Sequence, residues 1–160
     1  MGYHLHIYLA IAKESMAKSD RIAEAQTRPK PNGEPGSIIT FDPKQRSFRH
    51  SLVAIAFAGM YLEALLYIKG IKRLGEPAYN KIDRKSYEEK LIALGITDSK
   101  LLAACKRFRT ARNELVHEKA FQESEPWAAQ IEARKAIDLI GQITRLLKEK
   151  PNIVAPGGSS

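Results

Sequence analysis

Apolar side chains recur at three- and four-residue steps over most of this chain, which is the spacing of helices with one buried face. The spacing predicts helices over residues 3–26, over residues 47–74 (capped by Ser47 and ended by Gly70 and Gly75), from Asp83 or Ser86 to Gly95, from Thr97 and Asp98 onward, and from Ser124 and Pro126 to Pro151. We therefore expect an all-α fold, an up-and-down bundle of about five helices.

Two of these helices have a clear core face. On the first helix this face comprises Leu5, Leu9, Ala12, Met16 and Ala23. On the last helix it comprises Trp127, Ile131, Ile137, Ile140, Ile143 and Leu147. We expect both helices to pack against a shared core.

Residues 27–46 break the helical pattern with four prolines and two glycines: Pro29, Pro31, Gly33, Pro35, Gly36 and Pro43. Proline lacks a backbone donor and fixes φ, so prolines at this density exclude a helix. We expect a long loop here with one short strand over residues 37–41. The expected organisation is one helical domain over residues 1–150, followed by a flexible tail over residues 151–160.

The helix over residues 47–74 is the most hydrophobic element of the chain. Residues 52–68 contain a single charged side chain, that of Glu63. A run of this length is borderline for a membrane span, but a carboxylate in its middle argues against one. We expect this helix to be the buried centre of the bundle or part of a dimer interface.

Composition narrows the class of protein further. The formal net charge is +8, which concentrates a protein near polyanions such as RNA and also suits an acidic protein partner. The single cysteine, Cys105, and the four histidines form neither an internal disulfide nor a zinc pattern. We expect a cytoplasmic protein with no membrane span, no cofactor and no metal site.

We expect Arg112, Asn113 and His117 to lie in the last turns of the helix that begins near Thr97. At about 100° per residue, Arg112 falls on the apolar stripe formed by Leu101, Leu102, Cys105, Phe108, Leu115 and Val116. A buried guanidinium needs a carboxylate, an oligomer partner or a bound anion. We predict that Arg112 pairs with Glu63, within or between subunits. The alternative is that Glu63 lies on a solvated edge.

These side chains suit one kind of reaction. A histidine titrates near neutrality and can transfer protons, and an arginine offers a planar fork of donors that fits phosphate oxygens. An amide can position a phosphate or hold the imidazole in one tautomer. Together they favour attack of an RNA 2'-hydroxyl on its neighbouring phosphate. The alternative reading of the spacing is a structural salt bridge beside a surface histidine.

The sequence Arg-Asn-Glu-Leu-Val-His over residues 112–117 resembles the motif of the HEPN family. These are small all-helical domains of prokaryotic toxins, phage-defence proteins and RNA-processing nucleases. The resemblance implies a metal-independent endoribonuclease that acts as a homodimer, with the motifs of both subunits facing one cleft. It assigns Arg112, Asn113 and His117 as catalytic residues. Glu63 is then a supporting residue that orients the arginine, and the candidates for RNA contact near the motif are Lys106, Arg109 and Lys119.

The expected biological setting is a toxin restrained by an antitoxin protein encoded nearby. Family members paired with a small nucleotidyltransferase usually carry a tyrosine two residues after the histidine, and the partner modifies it. This chain has Lys119 there, which departs from that pattern. Two alternatives stay open: an inactive HEPN-like module that only binds RNA or protein, and a subunit of a helical complex that uses residues 52–68 as an interface.

Overall fold

A computed structural model describes residues 3–40, 44–116 and 126–149 of the chain. In these residues the fold is all-α, as expected, with six helices and one small two-stranded hairpin. The helices are α1 (Tyr3–Gln26), α2 (Arg46–Leu74), α3 (Glu76–Asn80), α4 (Tyr87–Ala93), α5 (Ser99–Val116) and α6 (Pro126–Glu149), and the strands are β1 (Thr27–Pro29) and β2 (Ser37–Ile39).

Helix α2 lies at the centre of the fold and contacts each of the other five helices. Its buried side chains include Ala54, Ile55, Ala58, Leu62 and Leu66. Of the described helices, α2 alone is long and apolar enough to cross a membrane by length and composition. Half of its most apolar window is buried inside the protein. The contacts of α2 with the other five helices fit the first of the two expected places, the centre of the fold, and they cover part of its apolar surface.

The start of α2 differs from the expected one. The helix begins at Arg46, after Gln45 with a φ of +47°, and Ser47 does not cap it. The Oγ atom of Ser47 lies 2.9 Å from that of Ser19 on α1. Ser19 also lies 2.8 Å from the buried hydroxyl of Ser51. Ser47 thus belongs to a cluster of hydroxyls that joins α1 to α2.

The end of α2 also corrects the sequence analysis. Gly75 ends the helix as expected, with a φ of +80°, but Gly70 lies inside it. The ring of Tyr79 packs directly on Gly70, and a Cβ there would overlap that ring. The glycine is needed for this close approach and not for a chain reversal.

The proline-rich segment contains a hairpin of which only one strand was predicted. Strand β2 lies within the expected range and pairs antiparallel with β1, so that Thr27 is opposite Ile39 and Pro29 is opposite Ser37. Asn32 and Gly33, both with positive φ, lie in the connection. Nearly all side chains of the two strands are exposed, so the hairpin adds little to the core.

Capping side chains start α4 and α5 at the predicted positions. The hydroxyl of Ser86 accepts a hydrogen bond from the backbone of Glu89, whose carboxylate accepts one from the Ser86 backbone at 2.9 Å, a capping box. Asp98 Oδ1 accepts a hydrogen bond from Leu101 N at 2.7 Å. Helix α3 was not predicted; its proline, Pro77, lies in the first turn, where proline fits a helix.

The core faces of the outer helices follow the sequence pattern with one correction. On α1 the predicted face is buried or half-buried, and on α6 the buried residues include Ala133, Ala136, Ile140, Ile143 and Leu147. Ile131, expected on this face, is 38% exposed. It lies two residues before Ala133, which is about 200° around the helix. The side chain of Trp127 lies outside the described part of the chain.

Contacts along α2 show that α5 runs antiparallel to it. Near the C-terminus of α2, Arg73 donates hydrogen bonds to the carbonyl oxygens of Leu94 at 3.3 Å and Leu147 at 2.6 Å. The end of α4 and the end of α6 therefore lie there, and α5 begins five residues after Leu94. Near the middle of α2, the side chain of Arg112 lies against Gly59. The last turns of α5 are thus beside the middle of α2.

Candidate functional site

Arg112 and Glu63 form the predicted ion pair, and they do so within one chain. Arg112 Nη1 lies 2.7 Å from Glu63 Oε1. The hydroxyl of Tyr87 accepts a hydrogen bond from Arg112 Nη1 at 2.7 Å and donates one to Glu63 Oε1 at 2.8 Å. We refer to these three side chains as the arginine cluster. Because α2, α4 and α5 each contribute one of them, the orientation of the guanidinium depends on how three helices pack.

Burial and charge set the protonation of the arginine cluster. The side chain of Arg112 is 26% exposed and that of Glu63 is 51% exposed. Burial lowers the pKa of Arg112, but the hydrogen bonds and charges of Glu63 and Tyr87 more than offset this, and the pKa is raised. Burial also raises the pKa of Tyr87; the charge of Arg112 acts in the opposite direction, and the charge and hydrogen bond of Glu63 raise the pKa further. Near neutral pH the cluster therefore holds a guanidinium beside a neutral phenol.

Gly59 explains how a long arginine side chain fits against α2. A Cβ at this position would lie 2.6 Å from Nε of Arg112 and 2.8 Å from its Cδ and Cζ atoms. Gly59 and Glu63 are four residues apart and so share one face of the helix. The glycine leaves room for the guanidinium, and the glutamate neutralises it. The sequence analysis did not single out Gly59, because a lone glycine in an apolar helix has several possible roles.

The position of the Tyr87 side chain is fixed by the start of α4 and by a ring contact with α5. It is the first residue of α4, directly after the capping residue Ser86. Its ring stacks on that of Phe108 with centroids 6.2 Å apart and planes 18° apart. Phe108 lies one turn before Arg112 on α5, so the stack and the hydrogen bond join the same two helices. Tyr87 was not among the site residues predicted from the sequence, because nothing in its spacing along the chain relates it to Glu63 or Arg112.

The arginine cluster forms one wall of an open cleft of about 690 Å³ between α2, α4 and α5. We call this the basic cleft, because basic side chains outnumber acidic ones in its lining. Two side chains are carboxylates, Glu63 and Asp83, and five are basic: Arg84, Lys85, Lys90, Arg109 and Arg112. Asn113, the second residue of the motif, is exposed and lines the same cleft. The structure thus brings together Arg112, Asn113 and Glu63.

The remaining site residues from the sequence analysis lie elsewhere or outside the described residues. Arg109 lines the basic cleft and also pairs with Glu88 of α4 at 3.2 Å, so it contributes to the packing of α4 on α5. Lys106 lines a separate groove between α5 and α6 and is not part of this site. His117 and Lys119 lie outside the described residues.

The other reactive side chains of the described residues offer no second centre. Within residues 3–40, 44–116 and 126–149, no group of three His, Cys, Asp or Glu side chains is arranged to hold a metal ion. Cys105 is buried, and burial raises the pKa of its thiol to about 12, so the thiol is not ionised near neutral pH. What the described residues assemble is a guanidinium that is paired with a carboxylate and a phenol at the wall of the basic cleft.

Comparisons of this chain with protein-family models, with curated protein sequences and with solved structures found no match. The resemblance to the HEPN family therefore rests on the motif over residues 112–117 together with the all-α fold.

Proposed function

We propose that this protein is a metal-independent endoribonuclease of the HEPN type and the toxin of a toxin-antitoxin or phage-defence system. The observation that carries the proposal is the setting of Arg112. Glu63 and Tyr87 both contact its Nη1 atom, Asn113 lies beside it, and the surrounding cleft is rich in basic side chains. An arginine held in this way is preorganised to bind a phosphate and to stabilise added negative charge on it.

In the proposed reaction, a ribose 2'-oxygen attacks the adjacent phosphorus while the bond from phosphorus to the 5'-oxygen of the next nucleotide breaks. A base takes the proton of the 2'-hydroxyl, and an acid gives a proton to the leaving 5'-oxygen. His117 performs one of these transfers and the partner subunit's His117 the other. Arg112 stabilises the transition state, Asn113 positions the phosphate, and Glu63 orients the arginine. The products carry 2',3'-cyclic phosphate and 5'-hydroxyl ends.

A homodimer of up-and-down bundles is part of this proposal, because it brings two motifs to one cleft. The N-terminal half of α2 supports it: Val53 and Met60 are 38% and 36% exposed and lie two turns apart on one side of the helix. Covering them with a second copy would remove apolar area from water. The net charge of +8 suits an acidic antitoxin, and we place the protein in the cytoplasm.

The direct test is to incubate the purified protein with single-stranded RNA in the presence of EDTA and to map the ends of the products. We expect cleavage with cyclic phosphate ends, lost in His117→Ala and in Arg112→Ala. The matched control is His4→Ala, which removes an exposed histidine of α1 and should cut like wild type. Wild-type protein that cuts no better than His117→Ala would remove the proposal.

A second candidate is a catalytically inactive HEPN-like module that binds RNA or protein. It is favoured by the Glu63 contact itself, since a carboxylate 2.7 Å from the guanidinium competes with a phosphate for it. This candidate predicts salt-dependent RNA binding that is equal in wild type and in His117→Ala, with cleavage by neither. Binding that is absent or insensitive to salt would instead favour a subunit of a helical complex that uses residues 52–68.

A further inference from the structure

Lys90 places a buried cation at the basic cleft, away from the arginine cluster. Its side chain is only 8% exposed, and its Nζ atom lies 3.7 Å from Asp83 Oδ1. The same atom lies 5.8 Å from the centre of the Tyr79 ring. A buried ammonium with so long a contact to its carboxylate is incompletely compensated, so this part of the cleft favours a further anion.

Tyr67 offers an aromatic surface in the same cleft. It is 43% exposed and lies one turn after Glu63 on α2, which is about 5.4 Å along the helix axis. Its ring meets that of Tyr79 nearly at a right angle, with centroids 5.6 Å apart. Tyr79 is fully buried and packs on Gly70, so the contact holds the Tyr67 ring in place. Held, exposed rings beside basic side chains are the surfaces on which the bases of single strands stack.

We propose that the basic cleft binds one nucleotide of a single-stranded RNA, next to the phosphate that Arg112 contacts. The base stacks on Tyr67, and the phosphate of that nucleotide is bound by Lys90 and Arg84. Asp83 has a side chain that is 52% exposed, so it can turn toward water when a phosphate takes its place. The cleft volume of about 690 Å³ is in the usual range of about 300–1,000 Å³ for ligand sites.

Two features select a single strand. A base in a duplex has both faces covered by its neighbours, whereas an unpaired base exposes a face to an aromatic side chain. Stacking also tolerates every base, so this subsite fits cleavage with little sequence preference. The inference rests on the proposed function only in taking Arg112 as the site of the reacting phosphate.

The stacking contact is tested with a fluorescein-labelled oligoribonucleotide that is 2'-O-methylated throughout, because it cannot be cleaved by attack of a 2'-hydroxyl. Fluorescence anisotropy gives the Kd for the full-length protein. We expect Tyr67→Ala to raise Kd about tenfold without changing its salt dependence, and Tyr67→Phe to bind like wild type. Tyr8→Ala, which removes an aromatic ring that contacts Phe57, is the matched control and should leave Kd unchanged.

The phosphate contact is tested through the salt dependence of the same Kd. Losing one phosphate contact to a single strand should reduce the slope of log K against log salt concentration by about 0.7. We expect this reduction in Lys90→Gln and in Arg84→Ala, with Lys13→Gln on α1 as the control of unchanged slope. Because Lys90 is buried and its variant can lose stability, the exposed Arg84 carries the test independently.

The outcomes separate this inference from the proposed function. Wild-type Kd in Tyr67→Ala, or an unchanged slope in Arg84→Ala with folded protein, overturns the subsite even when the enzyme cleaves RNA. Conversely, an RNA that binds with the expected losses but is never cleaved upholds the subsite and removes the nuclease.

Discussion

The side chain of Arg112 crosses α2 directly over Gly59, where a Cβ would lie 2.6 Å from its Nε atom. The position of the guanidinium is therefore a property of α2 as much as of α5. Glu63, one turn further along the same face of α2, then meets Nη1 at 2.7 Å. The absence of a side chain at Gly59 and the carboxylate one turn later together determine where the guanidinium lies.

Gly59→Ala should damage both the fold and the site. The added methyl group fits only if Arg112 moves, and that movement breaks its contact with Glu63. We expect the free energy of unfolding in urea to fall by about 1–3 kcal/mol, the usual cost of overpacking, and RNA cleavage to fall with it. Gly141→Ala is the control, since nothing lies within 4 Å of a Cβ there and alanine favours the helix by about 0.5–1 kcal/mol. Equal free energies of unfolding in Gly59→Ala and Gly141→Ala would contradict the packing of the Arg112 side chain on Gly59.

Arg112→Lys separates charge from geometry. Lysine keeps the positive charge but lacks the planar fork, in which Nη1 contacts Glu63 and Tyr87 while the other nitrogens bind the phosphate in the proposed reaction. We expect kcat for RNA cleavage to fall by about 10²–10³-fold, with a loss of about 1 kcal/mol in the free energy of unfolding from the weakened contacts to Glu63 and Tyr87. Retention of wild-type kcat would mean that the positive charge alone suffices and that the arginine cluster has no role in orientation.

Tyr87→Phe isolates the hydroxyl of the arginine cluster, because the ring can still stack on Phe108. The variant leaves Arg112 with Glu63 alone and removes a hydrogen bond in each direction. We expect a loss of about 1 kcal/mol in the free energy of unfolding and a lower kcat with a nearly unchanged KM, since orientation and not binding is affected. A variant whose KM rises while kcat stays constant would place Tyr87 in substrate binding.

The ion pair between Glu63 and Arg112 was predicted from the apolar sequence context of each charge, since burial of either alone is costly; the pair forms, but the Glu63 side chain is 51% exposed, as the alternative of a solvated edge had it. That argument needs residue types and periodicity only. The roles of Tyr87 and Gly59 could not be predicted in this way, because they arise where α2, α4 and α5 pack against one another. No spacing along the chain encodes which tyrosine lies opposite a given ion pair.

The roles of Gly70 and Gly75 also could not be distinguished from the sequence alone. Gly75 and Gly70 are both glycines near the end of an apolar helix, and both were expected to end it. Only Gly75 has a positive φ; Gly70 remains helical because the ring of Tyr79 needs its surface. The two roles, chain reversal and close packing, require the same residue type, and only the tertiary contact separates them. The pairing of β1 with β2 was not predicted, because only residues 37–41 were expected to form a strand; Pro29 lies at the edge of the hairpin, where proline is tolerated.

Tyr79 should make the protein sensitive to alkali. It is fully buried, and its hydroxyl has no hydrogen-bond partner among the residues that the structure describes. Burial, and then the charge of Asp83, raises its pKa from 10.0 to about 12. Because the folded pKa is the higher one, the stabilising effect is complete below about pH 10 and is lost as the pH rises toward 12.

We expect Tyr79→Phe to gain about 1 kcal/mol at neutral pH by removing an unpaired buried hydroxyl, and to lose less stability than wild type between about pH 8 and about pH 11. Urea unfolding at both pH values measures this, and any decline left in the variant belongs to groups such as Cys105, whose thiol pKa is also about 12. A variant that declines as steeply as wild type would show that Tyr79 ionises as freely in the folded chain as in the unfolded one.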